Sequence, residues 1–282
     1  MNNKNKKVLL DCTLRDGGYY NNWHFDKKIV QNYLSTIKKS GIQVVEIGFR
    51  FLKKEKFLGE FAYSNEKFIN SLHLPAEIKY AVMINAKEFI GNEDLLKKFF
   101  IKSNLSRIKI VRIAVNIGDY FLCKKICSYL KKNGYIVGLN LMQSHDLEKR
   151  EYKKISQNIN KWGLVDVLYF ADSLGCMNNQ EIKLISRTLV DNFKGSVGIH
   201  AHNNKGLALS NTLVAIKEGI NWFDSTITGM GRGAGNTETE HLSIECNLKK
   251  ILKLNSSELI PCVSEFNEIK KKYNWGSNIF YH

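Results

Sequence analysis

A chain of 282 residues with 44% apolar residues has the length and apolar content for one full core, and α/β barrels routinely run to about 250 residues. It contains no apolar run of bilayer-spanning length, about 18 residues or more, and its basic start, MNNKNKKVLLDC, has no signal-length apolar stretch before Asp11, so the reading is cytoplasmic with no membrane partner. The formal charge of +15 comes from lysines scattered over helix-like segments and the tail, without a basic stripe interleaved with aromatics; nucleic acid is not an expected partner, whereas a small anionic substrate is.

In chain order, short apolar, β-branched runs alternate with longer amphipathic stretches. The runs are 8–14, 44–49, 77–84, 107–115, 135–142, 166–173, 196–203 and 222–228. Nearly continuous apolar character is what strands buried on both faces require. Between them, segments such as 26–40, 118–133, 178–193 and 205–218 read as helices, several followed by a glycine (Gly41, Gly134, Gly219) that suits a C-terminal cap. Eight such units predict a (β/α)8 barrel over residues 1–254. The stretch 50–76 is too long for a simple loop and reads as a βα excursion over the barrel top. Residues 255–282 read as one more helix, over 255–273, and a tail packed on the barrel; its closing NWGSNIFYH has aromatics but no following element, the pattern of a chain that stops where a longer relative continues. None of the six cysteines forms a CxxC pair, and they read as core or half-buried thiols.

Active groups in such a barrel come from the C-terminal ends of strands and the loops that follow. Those positions hold Arg15 and Asp16 after the first strand, Glu46 on the second, Arg112 on the fourth and Asn140 near the end of the fifth. Asp172 and Ser173 end the sixth, His200 and His202 lie on the seventh, and the loop GMGRGAGN (229–236) follows the eighth. Two residues apart on a strand, His200 and His202 project to one side. A lone His-x-His pair also occurs in cores and on surfaces, but Asp16 stands two strands away around a closed barrel, and a carboxylate with two imidazoles makes an open divalent site. Asn236 is a candidate fourth ligand through its amide oxygen. That donor set suits Mg2+ or Mn2+ first, with Zn2+ and Co2+ in contention.

The string DCTLRDGG (11–18), the pair in HAHNN (200–204) and the loop GMGRGAGNTETE (229–240) resemble the DRE-TIM metallolyase superfamily, most closely its 4-hydroxy-2-oxovalerate aldolase branch. The resemblance covers essentially the whole barrel. It implies a divalent-metal aldolase of the class II type that makes or breaks a carbon–carbon bond beside a 2-oxo acid through a pyruvate-type enolate. It further implies metal ligation by Asp16, His200 and His202, with Asn236 a ligand in some branches, and carbonyl polarisation by Arg15. An ion pair of Arg15 with Glu46 or Asp16 is the plainer reading, and both can hold together. Asp172 and Ser173 match an Asp-Ser or Asp-Thr pair near the substrate, and Arg112 falls where relatives often keep an arginine. With Glu46 and Asn140, these are expected as substrate contacts or as support behind them. The resemblance also implies a homodimer or a complex with an aldehyde-processing partner.

One departure bears on the reaction. The branch carries an acid/base histidine in a string like RDGxH, and here that position is Tyr19, whose unperturbed pKa near 10 suits a base poorly at neutral pH. His24 is near enough in sequence to substitute, or is a loop residue without a role. A Claisen-type synthase using an acyl-CoA is the rival within the superfamily, and a barrel that kept its metal without turnover is the rival outside catalysis. A CoA lyase would carry a cysteine in the loop after the eighth strand, and GMGRGAGN has none.

Overall fold

The computed structural model describes residues 6–52, 56, 58–145 and 147–276. Eight parallel strands close into a barrel in chain order. They are β1 (Val8–Asp11), β2 (Val44–Phe49), β3 (Lys79–Asn85), β4 (Ile108–Asn116), β5 (Ile136–Met142), β6 (Val167–Asp172), β7 (Ser196–Ala201) and β8 (Trp222–Ser225). Each coincides with an expected run, its ends shifted by up to three residues. β1 and β8 are the most shortened, each by three residues at its C-terminal end. The chain leaves β1 at Asp11, and Thr13–Asp16 forms a helical turn rather than strand, so Arg15 and Asp16 fold back over the barrel mouth.

The expected helices form as Lys27–Ser40, Asn179–Asn192 and Ala208–Lys217, while 118–133 divides into a 3-10 stretch (Ile117–Cys123) and an α-helix (Lys124–Lys132). Asp26 starts the first by accepting from the backbone N–H groups of Lys28 and Ile29, and Asn178 with Glu181 makes a capping box on Asn179–Asn192. Gly41, Gly134 and Gly219 follow their helices with φ of 81°, 82° and 101°. The excursion at 50–76 has no strand among its described residues. Two short helices, Glu60–Tyr63 and Glu66–Ser71, form instead and bury Phe61, Phe68 and Ile69; residues 53–55 and 57 lie outside the described residues. No helix among the described residues is long and apolar enough to cross a membrane.

Strand alternation sorts side chains into the barrel interior or the layer under the helices. Val8, Leu10, Val44, Ala81 and Ile110 pack together as the apolar bottom of the interior. The larger core lies between barrel and helices and includes Leu9, Val45, Val111, Val137 and Ile199. The helix Ile260–Tyr273, entered through a 3-10 turn at Ser256–Leu259, packs on Lys27–Ser40, with the rings of Phe266 and Tyr33 6.2 Å apart. Residues 277–282 of the expected tail lie outside the described residues.

Candidate metal centre and active-site cavity

The same alternation brings chemistry inward. On β7, Ser196, Gly198 and His200 share a face, and His202 continues it just past the strand, bridging to Asn236. The β6–β7 register sets Ala171 beside His200, and the β7–β8 register, Ile199 beside Phe223, leaves His200 next to Asp224. His200 Nδ1 donates to Asp224 Oδ2 at 2.9 Å, and His202 Nδ1 donates to the Asp172 carbonyl at 2.8 Å. Each imidazole thereby keeps Nε2 as its ligand atom. One ligand atom from each of Asp16, His200 and His202 lies within 4.8 Å of the others, all three buried. The Asn236 Nδ2 group donates to Asp16 Oδ2 at 2.5 Å, while Asn236 Oδ1 is a buried acceptor without a partner among the described residues.

Charge supports a cation here. The buried network contains three carboxylates, Asp16, Glu46 and Asp224, against two guanidiniums, Arg15 and Arg112. Arg15 Nε donates to Glu46 Oε2 at 2.8 Å and Nη1 to Asp16 Oδ1 at 2.6 Å; Arg112 donates to Glu46 at 3.1 Å and to Asp224 at 2.5 Å. Burial alone would raise the Asp16 carboxyl, but the Arg15 guanidinium 2.6 Å away holds it far below the usual range. Desolvation, reinforced by His200, brings His202 down to about 4, which keeps it a neutral ligand at neutral pH. Three buried carboxylates against two guanidiniums favour positive charge at this point, and, against desolvation, Asp16 and Asp224 accordingly raise the His200 imidazole above its ordinary value. Two imidazoles whose Nδ1–H groups are already satisfied and an orphaned amide oxygen fit a divalent ion in that place, with no preference among metals.

The cluster forms one wall of a cavity of about 290 Å³ at the C-terminal mouth of the barrel. Tyr19, Asn140, Ser173, Asn85 and Arg232 complete its polar lining, and Phe49, Phe51, Met83, Ala114 and Met142 form an apolar side. Phe49 and Phe51 stack at 4.2 Å. Asn140 is 4% exposed, and its Oδ1 also lacks a partner.

Several expected contacts sit elsewhere. Glu46 and Arg112 do not line the cavity; they lie one layer beneath it, Glu46 bridging both arginines and the Arg112 guanidinium 4.2 Å from the Tyr169 ring centroid. Gly138, beside Arg112 in the register, provides the room, since a Cβ there would stand 3.1 Å from Arg112 Cγ. Asp172 is one residue out of phase with Ser173, so its carboxylate faces away from the cavity and accepts from the backbone of Cys176 and Met177. His24 is exposed and lies in a separate surface dimple with Asp26 and Glu60. Tyr19 lines the mouth, edge-on to Trp23 at 4.9 Å, and desolvation together with Asp16 raises its phenol above the ordinary value.

The sequence reading did not single out Asp224 and Arg232. Asp224 was legible as an inward position on β8, two residues along from the bottom-layer Trp222; Arg232 was legible as the only charged residue of GMGRGAGN. Asp11 and Gly18 of the first motif have structural tasks. Asp11 accepts from the hydroxyls of Thr13, Tyr33 and Thr239, tying β1 to two helices. Gly18 is required because a Cβ would stand 2.1 Å from the Trp23 indole, whose Nε1 donates to the Arg15 carbonyl and fixes the turn that carries Arg15 and Asp16.

Comparison with known proteins agrees. The 4-hydroxy-2-oxovalerate aldolase of Chloroflexus aurantiacus is 29% identical over 238 residues, spanning 83% of this chain and 67% of that protein. The oxaloacetate decarboxylase of Mycobacterium tuberculosis is 26% identical over 238 residues, spanning 83% of this chain and 68% of that protein. The matched region is thus about two thirds of these relatives' length. A crystal structure described as the N-terminal domain of a candidate aldolase from Bacteroides vulgatus superposes with a TM-score of 0.90 at 31% identity, covering 97% of this chain and 90% of that one. The HMG-CoA lyase of Bacillus subtilis shares the fold at a TM-score of 0.75 and 16% identity, over 96% of this chain and 95% of that one. The model of the family described as HMGL-like matches residues 98–262, more than half of the chain. With the barrel and its Asp-His-His cluster, that match assigns this chain to the HMGL-like, or DRE-TIM, family of aldolases and lyases.

Proposed function

We propose that this chain is a divalent-metal-dependent lyase that cleaves or forms a carbon–carbon bond beside a 2-oxo acid, in the manner of a 4-hydroxy-2-oxovalerate aldolase. The observation that carries the reading is the convergence of Asp16, His200 and His202 on one point of the cavity wall beside Arg15. A divalent ion bound there would supply a Lewis acid to the substrate's carboxylate and ketone oxygens.

The chain's own residues have distinct tasks. Arg15 is held by Glu46 and Asp16 through Nε and Nη1, which leaves Nη2 for an oxyanion forming at the ketone oxygen. Its planar fork remains charged in a buried site, where a lysine is more readily neutralised. The orphaned Oδ1 of Asn140 accepts a donor on the substrate, such as the hydroxyl at the bond to be cleaved. Tyr19, kept protonated by its raised pKa, serves as a hydrogen-bond or proton donor at the mouth rather than as a base. The apolar side formed by Phe49, Phe51 and Met83 excludes water from the reacting carbons.

A second reading has one observation in its favour. Retro-aldol cleavage requires a base for the hydroxyl proton, and among the described cavity residues the only carboxylate and imidazoles are those of the proposed ligand cluster. Decarboxylation of a 3-carboxy-2-oxo acid generates the same enolate without that proton transfer, and a relative bearing such a name is among those matched. Both readings are tested by pyruvate release with Mn2+ and with EDTA, from 4-hydroxy-2-oxopentanoate and from oxaloacetate. The expected result is Mn2+-dependent release that Asp16→Asn abolishes; metal-independent release, or none from either substrate, overturns the proposal.

A further inference from the structure

The charges lining the cavity do not balance locally. Arg15 and Asp16 face each other at 2.6 Å, and Arg112 is matched by Glu46 and Asp224 below the floor. Arg232 is the remaining guanidinium on the wall, and no carboxylate among the described residues pairs with it. Among the described residues its guanidinium makes a single, long contact, from Nη2 to the Ser173 carbonyl at 3.4 Å. It lines the same cavity as Tyr19 and His202.

The backbone holds this arginine in place on both sides. Tyr20 Oη donates to the Gly233 carbonyl at 2.8 Å, Asn203 N donates to the Gly235 carbonyl at 2.8 Å, and Gly235 N returns to the Arg232 carbonyl at 3.2 Å. Preceding it, Met230 is fully buried and Gly231 lies against the Asn236 amide, where a Cβ would stand 2.3 Å from Nδ2. The loop that carries Asn236 into the cluster therefore also fixes Arg232 at the rim.

We propose that Arg232 is a specificity-determining residue that binds a second anionic group on the substrate, so that the preferred substrates are 2-oxo acids with a carboxylate at the far end of the carbon chain. This rests on the 2-oxo acid reading given above. The 2-oxo acid end occupies the Asp-His-His wall beside Arg15, and the distal carboxylate meets Arg232 at the cavity rim near Ser173. A neutral aldehyde portion would leave this guanidinium without a counter-ion. An arginine fork binds a carboxylate through paired N–H groups, and at an exposed rim that attraction is screened by salt.

The test uses two inert ligands that differ only at the far end, 2-oxoglutarate and 2-oxopentanoate. They are titrated into the Mn2+-loaded full chain by calorimetry and by tryptophan fluorescence, at low and at high sodium chloride. The wild type is expected to bind 2-oxoglutarate roughly tenfold more tightly, the scale of one hydrogen bond to a charged group, with the gap narrowing at high salt. Arg232→Gln is expected to remove the gap by weakening 2-oxoglutarate alone. Equal binding of the two ligands by the wild type overturns the proposal and leaves the 2-oxo acid reading standing. Equal weakening of both by Arg232→Gln also overturns it, because the arginine then only supports its loop. Binding of Mn2+ without either ligand overturns the proposal and the 2-oxo acid reading together.

Discussion

At the scale of single residues, Asp224 links the cluster to the barrel floor. Its Oδ2 accepts from His200 Nδ1 at 2.9 Å and from Arg112 Nη2 at 2.5 Å, so one oxygen orients a ligand imidazole and balances a buried guanidinium. Burial alone would raise its carboxyl, yet Arg112 and His200 hold it below the ordinary value, and it stays ionised. Carboxylates behind ligand histidines typically carry a 10–100-fold share of metal affinity. Asp224→Asn is therefore expected to weaken Mn2+ binding by about that factor in a direct titration. It should also cost about 3–5 kcal/mol in denaturant unfolding, because Arg112 loses a buried partner. Unchanged Mn2+ affinity with the stability loss intact would reduce Asp224 to a partner of Arg112.

At the scale of elements, the glycine-rich loop is held from outside the barrel. Thr228 adopts a left-handed conformation (φ 51°) just before the loop, and its carbonyl accepts from the Trp275 indole at 3.1 Å. Trp275, just past the C-terminal helix, is 2% exposed, and its ring lies 5.8 Å from that of Tyr20, whose hydroxyl reaches Gly233. The loop, the turn after the first motif and the end of the C-terminal segment thus meet around one indole. Trp275→Ala is expected to loosen Mn2+ retention several-fold, while Trp275→Phe, which keeps the ring but not the N–H, should fall between it and wild type. Equal metal affinity in all three proteins would confine Trp275 to packing. Strand phase is the other lesson at this scale. Asp172 and Ser173 are adjacent in sequence and face opposite sides of the barrel wall, a distinction that alternation alone predicts once the strand is placed.

The whole molecule depends on barrel closure, with β1 pairing both β2 and β8, and on the C-terminal helix that packs on Lys27–Ser40. Leu259, Phe266 and Trp275 are buried by the segment after Leu254, and each such side chain contributes on the order of 1.5–3 kcal/mol. Ending the chain at Leu254 also uncovers Tyr33, whose hydroxyl donates to Asp11. The expected outcome is a fall in Tm on the order of 10 °C or more by calorimetry; a shift within 2 °C would show that the barrel stands without this helix.

The sequence by itself determined a good deal. Eight apolar runs spaced by amphipathic segments gave a parallel sheet, because strands covered on both faces are apolar nearly throughout, and eight units are enough to close one. The His-x-His spacing put two imidazoles on one face, and the Asp16 position followed from the mouth that both share. What only the tertiary structure decided was depth and reach. Glu46 and Arg112 are inward like His200, yet the register of the closed barrel sets them beneath the cavity, and His24 is carried to the outside by the turn that Trp23 fixes. Local periodicity states which way a side chain points, whereas the layer it occupies depends on pairings between residues as distant as Leu10 and Asp224. No window of sequence contains those pairings, and so the identity of the residues that face the substrate waited on the fold.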